Sequence, residues 1–176
     1  MKVAFLDRDG VINNEIDYLF KIEDFSFTSN CIKGLQRIIA KGYEIVVVTN
    51  QAGIARGYYT VSQYYELTAW YRAELRRYGI NLLDVFYCPH HPNGVVPEYS
   101  IDCVCRKPNA GMLEAAASKY QIDKDQSFLV GDKVSDLEAG INFGLNKVYL
   151  VETGHQISED DYNLYQVYPD LLSIPL

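Results

Sequence analysis

Short apolar, β-branched runs alternate with helix-patterned segments along most of this chain, and no other feature limits its fold so strongly. Val3 to Leu6 are apolar throughout, as a strand buried on both faces requires. Ile32, Leu35, Ile38 and Ile39 recur at helical spacing, with Gly42 where a helix stops. The segment YEIVVVTNQAG brings a second β-branched run, read as a strand ending at Thr49. Thr60 and Gln63 have the spacing of a capping box. They open a helix through Leu67, Tyr71, Leu75 and Tyr78, closed by Gly79. DVFYC reads as a third strand, AGMLEAAASKY as a helix, SFLVGD as a strand, SDLEAGINFG as a short helix and KVYLV as the last strand. Alternating units of this kind predict an α/β fold, a Rossmann-like, mostly parallel sheet with helices on both faces. Residues 1–176 are long enough for one compact core and show no repeat, low-complexity stretch or linker, so they read as a single domain. Gly154 to Tyr168 is polar with little pattern and reads as loop. So does His90 to Pro108, a long loop of the sort that is functional or tied down.

The bulk properties remove several classes of partner. The net charge of −7 argues against general nucleic-acid binding, which needs a basic surface, but leaves room for a small anionic substrate met by local cations. No apolar run approaches the roughly 20 residues of a membrane span, so no membrane partner is expected. Met1-Lys2-Val3 leads straight into the first strand without a signal peptide, which makes the cytoplasm the expected location. The chain is read as a monomer. The 4 cysteines of such a chain point to thiols or a metal site rather than disulfides.

The strand ends hold the chemistry. The first apolar run gives way to Asp7, Arg8, Asp9 and Gly10. Two carboxylates so close repel each other unless a proton or a cation lies between them. In open α/β sheets ligands bind outside the carboxyl ends of the strands. Those ends supply Asp7 and Asp9, then Thr49 and Asn50, then Asp132, with Asp136 one helical turn further on. The i, i+2 spacing of a strand would point Asp7 and Asp9 into one site, and Gly10 permits a sharp departure. Convergent carboxylates form a hard-oxygen site suited to Mg2+. Arg106 and Lys107, with hydrogen bonds from Thr49 and Asn50, suit a phosphate. A carboxylate nucleophile, Mg2+ and a lysine together fit phosphoryl transfer through an aspartyl-phosphate.

The ordered set resembles the haloacid dehalogenase superfamily of phosphatases. DRDGVIN, VVVTNQAGIARG, CPHHP, CRKPNAGM and VGDKVSDLEAG resemble, within it, the family of heptose-bisphosphate and histidinol phosphatases. The similarity runs from about Lys2 to Val151 and leaves the C-terminal tail without a motif. It implies that Asp7 attacks phosphorus and that Asp9 protonates the leaving oxygen and then activates water. Mg2+ would be held by the Asp7 carboxylate, the Asp9 backbone carbonyl and Asp132. Thr49 and Lys107 would bind the transferred group, and Asn50, Gln51, Arg106 and Lys133 would position substrate. Asp136 would support Lys107 or the waters of the metal; Arg56 reads equally well as a solvated loop arginine. The passage between the first two motifs has no room for a large cap domain. Loops 14–20 and 90–106 would then wall an open site.

The implied activity is removal of the 7-phosphate from D-glycero-D-manno-heptose 1,7-bisphosphate, a step toward a nucleotide-activated heptose for surface polysaccharide. Histidinol phosphate is the alternative substrate. A receiver-like module with a slowly turning-over phospho-aspartate is the alternative of another class; such a module does not need Asp9.

Cys88, His90, Cys103 and Cys105 form a C-x-H…C-x-C set. Three thiolates and one imidazole make a closed tetrahedral Zn2+ site of structural type. It would fasten the loop that ends in Arg106 and Lys107, and the family resemblance implies the same set. Cys31 reads as core, and His91 and His155 as surface residues.

Overall fold

The computed structural model describes residues 1–176. In chain order the elements are β1 (Val3–Leu6), α1 (Cys31–Ala40), β2 (Glu44–Asn50), α2 (Ala52–Ala55), α3 (Val61–Arg77), β3 (Asp84–Cys88), α4 (Gly111–Lys119), β4 (Phe128–Gly131), α5 (Val134–Phe143), β5 (Lys147–Val151), α6 (Glu159–Leu164) and β6 (Val167–Tyr168), with one 3-10 turn at Ile22–Asp24. The six strands form one sheet in the order β3-β2-β1-β4-β5-β6, and every pairing is parallel.

Strand alternation divides the apolar residues between two layers. Ala4, Leu6, Ile45, Val47, Phe128 and Val130 face α1 and α3. Their neighbours Val3, Phe5, Val46, Val48 and Leu129 face α4 and α5. Both faces are covered, which is why the strands read as unbroken apolar runs. The predicted capping box forms as drawn: Thr60 Oγ1 accepts from Gln63 N at 3.2 Å and Gln63 Oε1 accepts from Thr60 N at 2.9 Å.

β1 lies between β2 and β4, with Leu6 opposite both Val47 and Val130. The sheet grows outward from this strand in both directions, so the crevice at its carboxyl end is the topological switch point of the fold. A passage with no helix longer than the 3-10 turn joins Gly10 to α1, and no large cap covers that end. No helix is long and apolar enough to cross a membrane.

Three expectations are corrected. β2 runs one residue past Thr49, to Asn50. β1 stops at Leu6, so strand periodicity does not orient Asp7 and Asp9. Asp7 is instead held by a bond from its N–H to Val130 O at 3.0 Å, and the chain then turns through Gly10 at φ +80°. Finally, Gly154 to Tyr168 is not all loop: it contains α6 and a sixth strand. α6 buries no residue, so it lacks the apolar stripe that reveals a helix in sequence; Ser158 caps it by accepting from Asp161 N at 3.2 Å. β6 is two residues long, too short to display a period. Beyond it, Leu171 and Ile174 dock into the core beside α1.

Candidate active site

At the carboxyl end of β1 a cavity of about 440 Å3 opens, with Asp7, Asp9, Lys107 and Asp136 in its wall. Asp7 is 7% exposed, and its Oδ1 takes the Arg8 N–H at 2.7 Å and Lys107 Nζ at 3.0 Å. Lys107 Nζ is fully engaged, reaching Asp136 Oδ1 at 2.8 Å and Val48 O at 2.8 Å as well. Asn50 holds the Lys107 backbone from both sides: its Oδ1 accepts from Lys107 N at 3.0 Å and its Nδ2 donates to Lys107 O at 3.2 Å. The Asn50 amide is thus occupied with the lysine. Asp136 Oδ2 accepts from Lys133 N at 3.0 Å at the start of α5.

Asp9 stands on a different support. Arg8, 1% exposed, donates from Nη2 to both of its oxygens at 2.9 and 3.0 Å. Asn13 Nδ2 adds a bond at 3.0 Å and Gln51 Nε2 another at 3.1 Å. Gln51 is steadied by Thr49 Oγ1 at 2.8 Å and by the Tyr59 hydroxyl at 2.5 Å. Thr49 is buried behind the cavity wall, with its hydroxyl bonded to that glutamine.

The two aspartates consequently differ in acidity. Burial, which Lys107 opposes and Asp136, Asp132 and Asp9 reinforce, drives the Asp7 carboxyl well above the usual range. Burial also pushes Asp9 up, but Arg8, Asn13 and Gln51 outweigh it and hold that carboxyl below the usual range. Asp132 is raised by burial and by Asp136, partly offset by His155. Lys107 is raised despite its burial, because Asp136 and Asp7 face it.

Oxygens of Asp7, Asp132 and Asp136 converge within 4.8 Å of one another. Asp132 is 2% exposed, and its Oδ1 is buried without a hydrogen-bond partner. Asp7, Asp9, Asp132 and Asp136 face only two buried cations, Arg8 and Lys107. An unpaired buried oxygen and an excess of negative charge are what a divalent cation would complete, so the corner fits Mg2+. Gly10 makes the corner possible: a Cβ there would come within 2.3 Å of Asp132 Oδ2.

The far part of the site is the loop between β3 and α4. Cys88 Sγ lies 3.4 Å from Cys103 Sγ and 2.8 Å from Cys105 Sγ, Cys105 Sγ 3.4 Å from Cys103 Sγ, and His90 Nδ1 3.3 Å from Cys105 Sγ and 3.7 Å from Cys88 Sγ. All the cysteines are free thiols. A tetrahedron with Zn–S bonds of about 2.3 Å has S–S edges of about 3.8 Å; the three sulfurs here lie 3.4, 3.4 and 2.8 Å apart, the same ligand set drawn in more tightly than around a bound ion. Arg106 follows directly, with Nη1 donating to His90 O at 3.4 Å and its side chain in the cavity wall.

Arg56, Lys133, Glu15, Asp17 and Tyr18 also line the cavity, so loop 14–20 does form a wall. Sequence reasoning placed His91 and His155 at the surface. His91 instead lines the cavity, with Nε2 3.4 Å from Arg56, and His155 Nδ1 lies 2.6 Å from Asp132 Oδ2. Arg8 was not singled out. Its one signal is its place between two aspartates, and sequence alone does not distinguish a buried arginine there from a solvated one.

The HAD-hydrolase-like family matches residues 104–173. D-glycero-alpha-D-manno-heptose-1,7-bisphosphate 7-phosphatase of Photorhabdus laumondii is 59% identical over 93% of this chain and 89% of that one. D-glycero-beta-D-manno-heptose-1,7-bisphosphate 7-phosphatase of Pasteurella multocida is 46% identical over 90% of this chain and 86% of that one. The crystal structure of D,D-heptose 1,7-bisphosphate phosphatase from B. bronchiseptica, complexed with magnesium and phosphate, superposes with a TM-score of 0.81 at 28% identity, over 98% of this chain and 95% of that one. The doubly wound sheet, the aspartates at its switch point and these relatives agree, and the chain belongs to the heptose-1,7-bisphosphate 7-phosphatase family of the haloacid dehalogenase superfamily.

Proposed function

We propose that residues 1–176 form a single phosphatase domain that hydrolyses the 7-phosphate of D-glycero-D-manno-heptose 1,7-bisphosphate through an aspartyl-phosphate on Asp7. The observation that carries this reading is the pairing of Asp7 with Lys107 in the cavity wall, beside the unpartnered oxygen of Asp132. Asp7, Asp132 and the Asp9 backbone carbonyl would hold Mg2+. When bound there, Mg2+ supplies charge neutralisation and polarisation of the phosphoryl oxygens.

The chain's own residues do the rest. Lys107, pinned by Asp136 and Val48 O, orients Asp7 for attack and offsets charge on the phosphoryl group. Asp9 is ionised at rest, the state in which it takes a proton from the water that cleaves the aspartyl-phosphate. To protonate the leaving oxygen Asp9 first takes up a proton from solvent and loosens its bonds to Arg8, since a proton on either oxygen forfeits a bond that Arg8 now makes. Giving that proton to the leaving oxygen returns Asp9 to the ionised state that the water step needs. This acid/base role separates an enzyme from a receiver-like module.

Arg106, Lys133 and Arg56 line the cavity as candidates for the second phosphate; the Nε of Arg56 is buried without a partner. Zn2+ on Cys88, His90, Cys103 and Cys105 would hold Arg106 in place. Cations in the wall favour a bisphosphate over histidinol phosphate, whose amine they would repel, although Glu15 and Asp17 stand in the same wall. The substrate named for the relatives supports the same choice, and the relative at 59% identity favours the α anomer. We place the enzyme in the cytoplasm as a monomer without nucleic-acid or membrane partners, consistent with its net charge of −7. The test is kcat/KM for both heptose bisphosphate anomers and for histidinol phosphate at one Mg2+ concentration. The α anomer should give the highest value. A higher value for the β anomer would reverse the anomer assignment alone, and a higher value for histidinol phosphate would overturn the substrate.

A further inference from the structure

The turn that leaves β5 reaches back across the sheet to the aspartate corner. Thr153 Oγ1 donates to Gly10 O at 2.6 Å, next to Asp9. Two residues on, His155 meets Asp132 twice on one oxygen: its backbone N–H donates to Oδ2 at 2.9 Å, and its Nδ1 lies 2.6 Å from the same atom. The carboxylate accepts, which places the ring proton on Nδ1. Gly154 lies between these anchors, and a Cβ there would come within 2.1 Å of Asp132 Oδ2. Both donors of His155 fall on Oδ2, while Oδ1 of the same buried carboxylate has no partner.

We propose that Thr153–His155 is a clamp that presets Asp132 for the cation, with His155 as a positioning residue that acts through that carboxylate. The inference rests on the reading of the corner as a Mg2+ site. Its physical content is preorganisation. A carboxylate fixed through one oxygen presents the other in a single direction, and a ligand that need not be ordered on binding holds its metal more tightly. The side chain of His155 is 37% exposed, so replacing it leaves no cavity in the core.

Calorimetric titration of the substrate-free protein with Mg2+ tests the clamp. His155→Ala should weaken binding about 10–100-fold, the usual consequence of removing a partner of a metal ligand. His155→Asn should recover most of that loss, because its side-chain amide nitrogen occupies the position of Nδ1. Gly154→Ala should weaken binding as well, by forcing the turn off Oδ2. The histidine variants in Mg2+-free buffer should still unfold cooperatively, within about 2–4 °C of the parent for the one side-chain bond lost, and saturating Mg2+ should restore kcat toward the parent value, which a general structural defect would not allow. If His155→Ala binds Mg2+ as the parent does, or if His155→Asn binds no better than His155→Ala, the clamp is wrong and the cation site stands. If the parent protein itself binds no Mg2+, the site and the clamp fall together.

Discussion

The two ends of the cavity are ordered by different means. At the aspartate corner, Asp7 leaves β1 with its backbone still bonded to β4, and Lys107 makes three bonds, to Asp7, Asp136 and a strand carbonyl. At the cysteine loop, the chain from β3 to α4 contains no helix or strand, and four side chains converge on one point. The first end inherits its geometry from the sheet and would bind a cation for chemistry. The second has little backbone structure of its own and would take its geometry from a cation. A metal can thus serve either as a reagent in a site already formed or as the means by which a site forms, and the surrounding backbone tells which.

The sharpest way to break this contrast is at the corner. Asp7→Asn should lower turnover by about 10⁴-fold or more, as loss of a nucleophile does elsewhere, with the melting temperature kept, because the sheet rather than the side chain sets the backbone. Steady-state kinetics beside a thermal melt would show it; ordinary turnover would remove the covalent step from the mechanism. Asp9→Asn should cost about 10²–10⁴-fold in kcat, the worth of one acid/base group, since Asn keeps the size but not the proton chemistry.

The cysteine loop should respond in the opposite way. Removing zinc, by Cys103→Ser or by a chelator followed by Mg2+ replenishment, should free the amides of residues 90–106 to exchange hydrogen while β1 and β4 stay protected. The kinetic loss should fall mainly on KM and amount to about 10–100-fold in kcat/KM, the equivalent of one charged hydrogen bond of about 1.5–3 kcal/mol lost with Arg106. Elemental analysis of protein purified without added metal should find zinc. An active, ordered preparation free of zinc would dissolve the comparison, because the loop would then hold itself.

How far the sequence could be read follows the same division. β1, β2 and β4 were legible because burial on both faces leaves an unmistakable apolar run, β3 and β5 through their β-branched and aromatic residues, and Thr60 with Gln63 marked the start of α3 through a local hydrogen-bonding pattern. Asp7, Asp9 and Asp132 were legible as candidates because strand ends and ligand sites coincide in this architecture. Arg8 and His155 were not. His155 acts through a carboxylate that the fold brings near, Arg8 is buried against its own chain neighbour Asp9, and neither lies on a periodic face that could announce burial or contact. α6 and β6 escaped because one buries nothing and the other is two residues long. Patterns in sequence report what an element buries; they are silent about single polar contacts between elements.

The smallest effect is expected at a third place, where neither cation nor cavity is involved. Asp170, 8% exposed, joins the C-terminal segment to α1: Oδ2 accepts from Asn30 Nδ2 at 2.7 Å, and Oδ1 accepts from Ser173 N at 3.0 Å and Oγ at 2.7 Å. Burial pushes this carboxyl up, but the bonds from Asn30 and Ser173 outweigh it and hold it below the usual range. A carboxyl lowered on folding stabilises the protein above the unfolded-state value of about 3.9 and loses that contribution as pH falls through the folded-state value. Asp170→Asn should therefore cost about 1 kcal/mol near neutral pH, or about 2–4 °C in melting temperature. The gap to the parent should stay constant down to about pH 4 and then close, because the unfolded parent takes up its proton first. Thermal melts of parent and variant between neutral pH and pH 3 measure it. A gap that widens in acid would mean that the carboxylate is not what the anchor uses. With kcat measured alongside, the variant also sharpens the comparison: an aspartate corner built on β1 and β4 should turn over at the parent rate while the C-terminal anchor weakens, and a fall in kcat would show that the corner depends on packing well beyond its own strands.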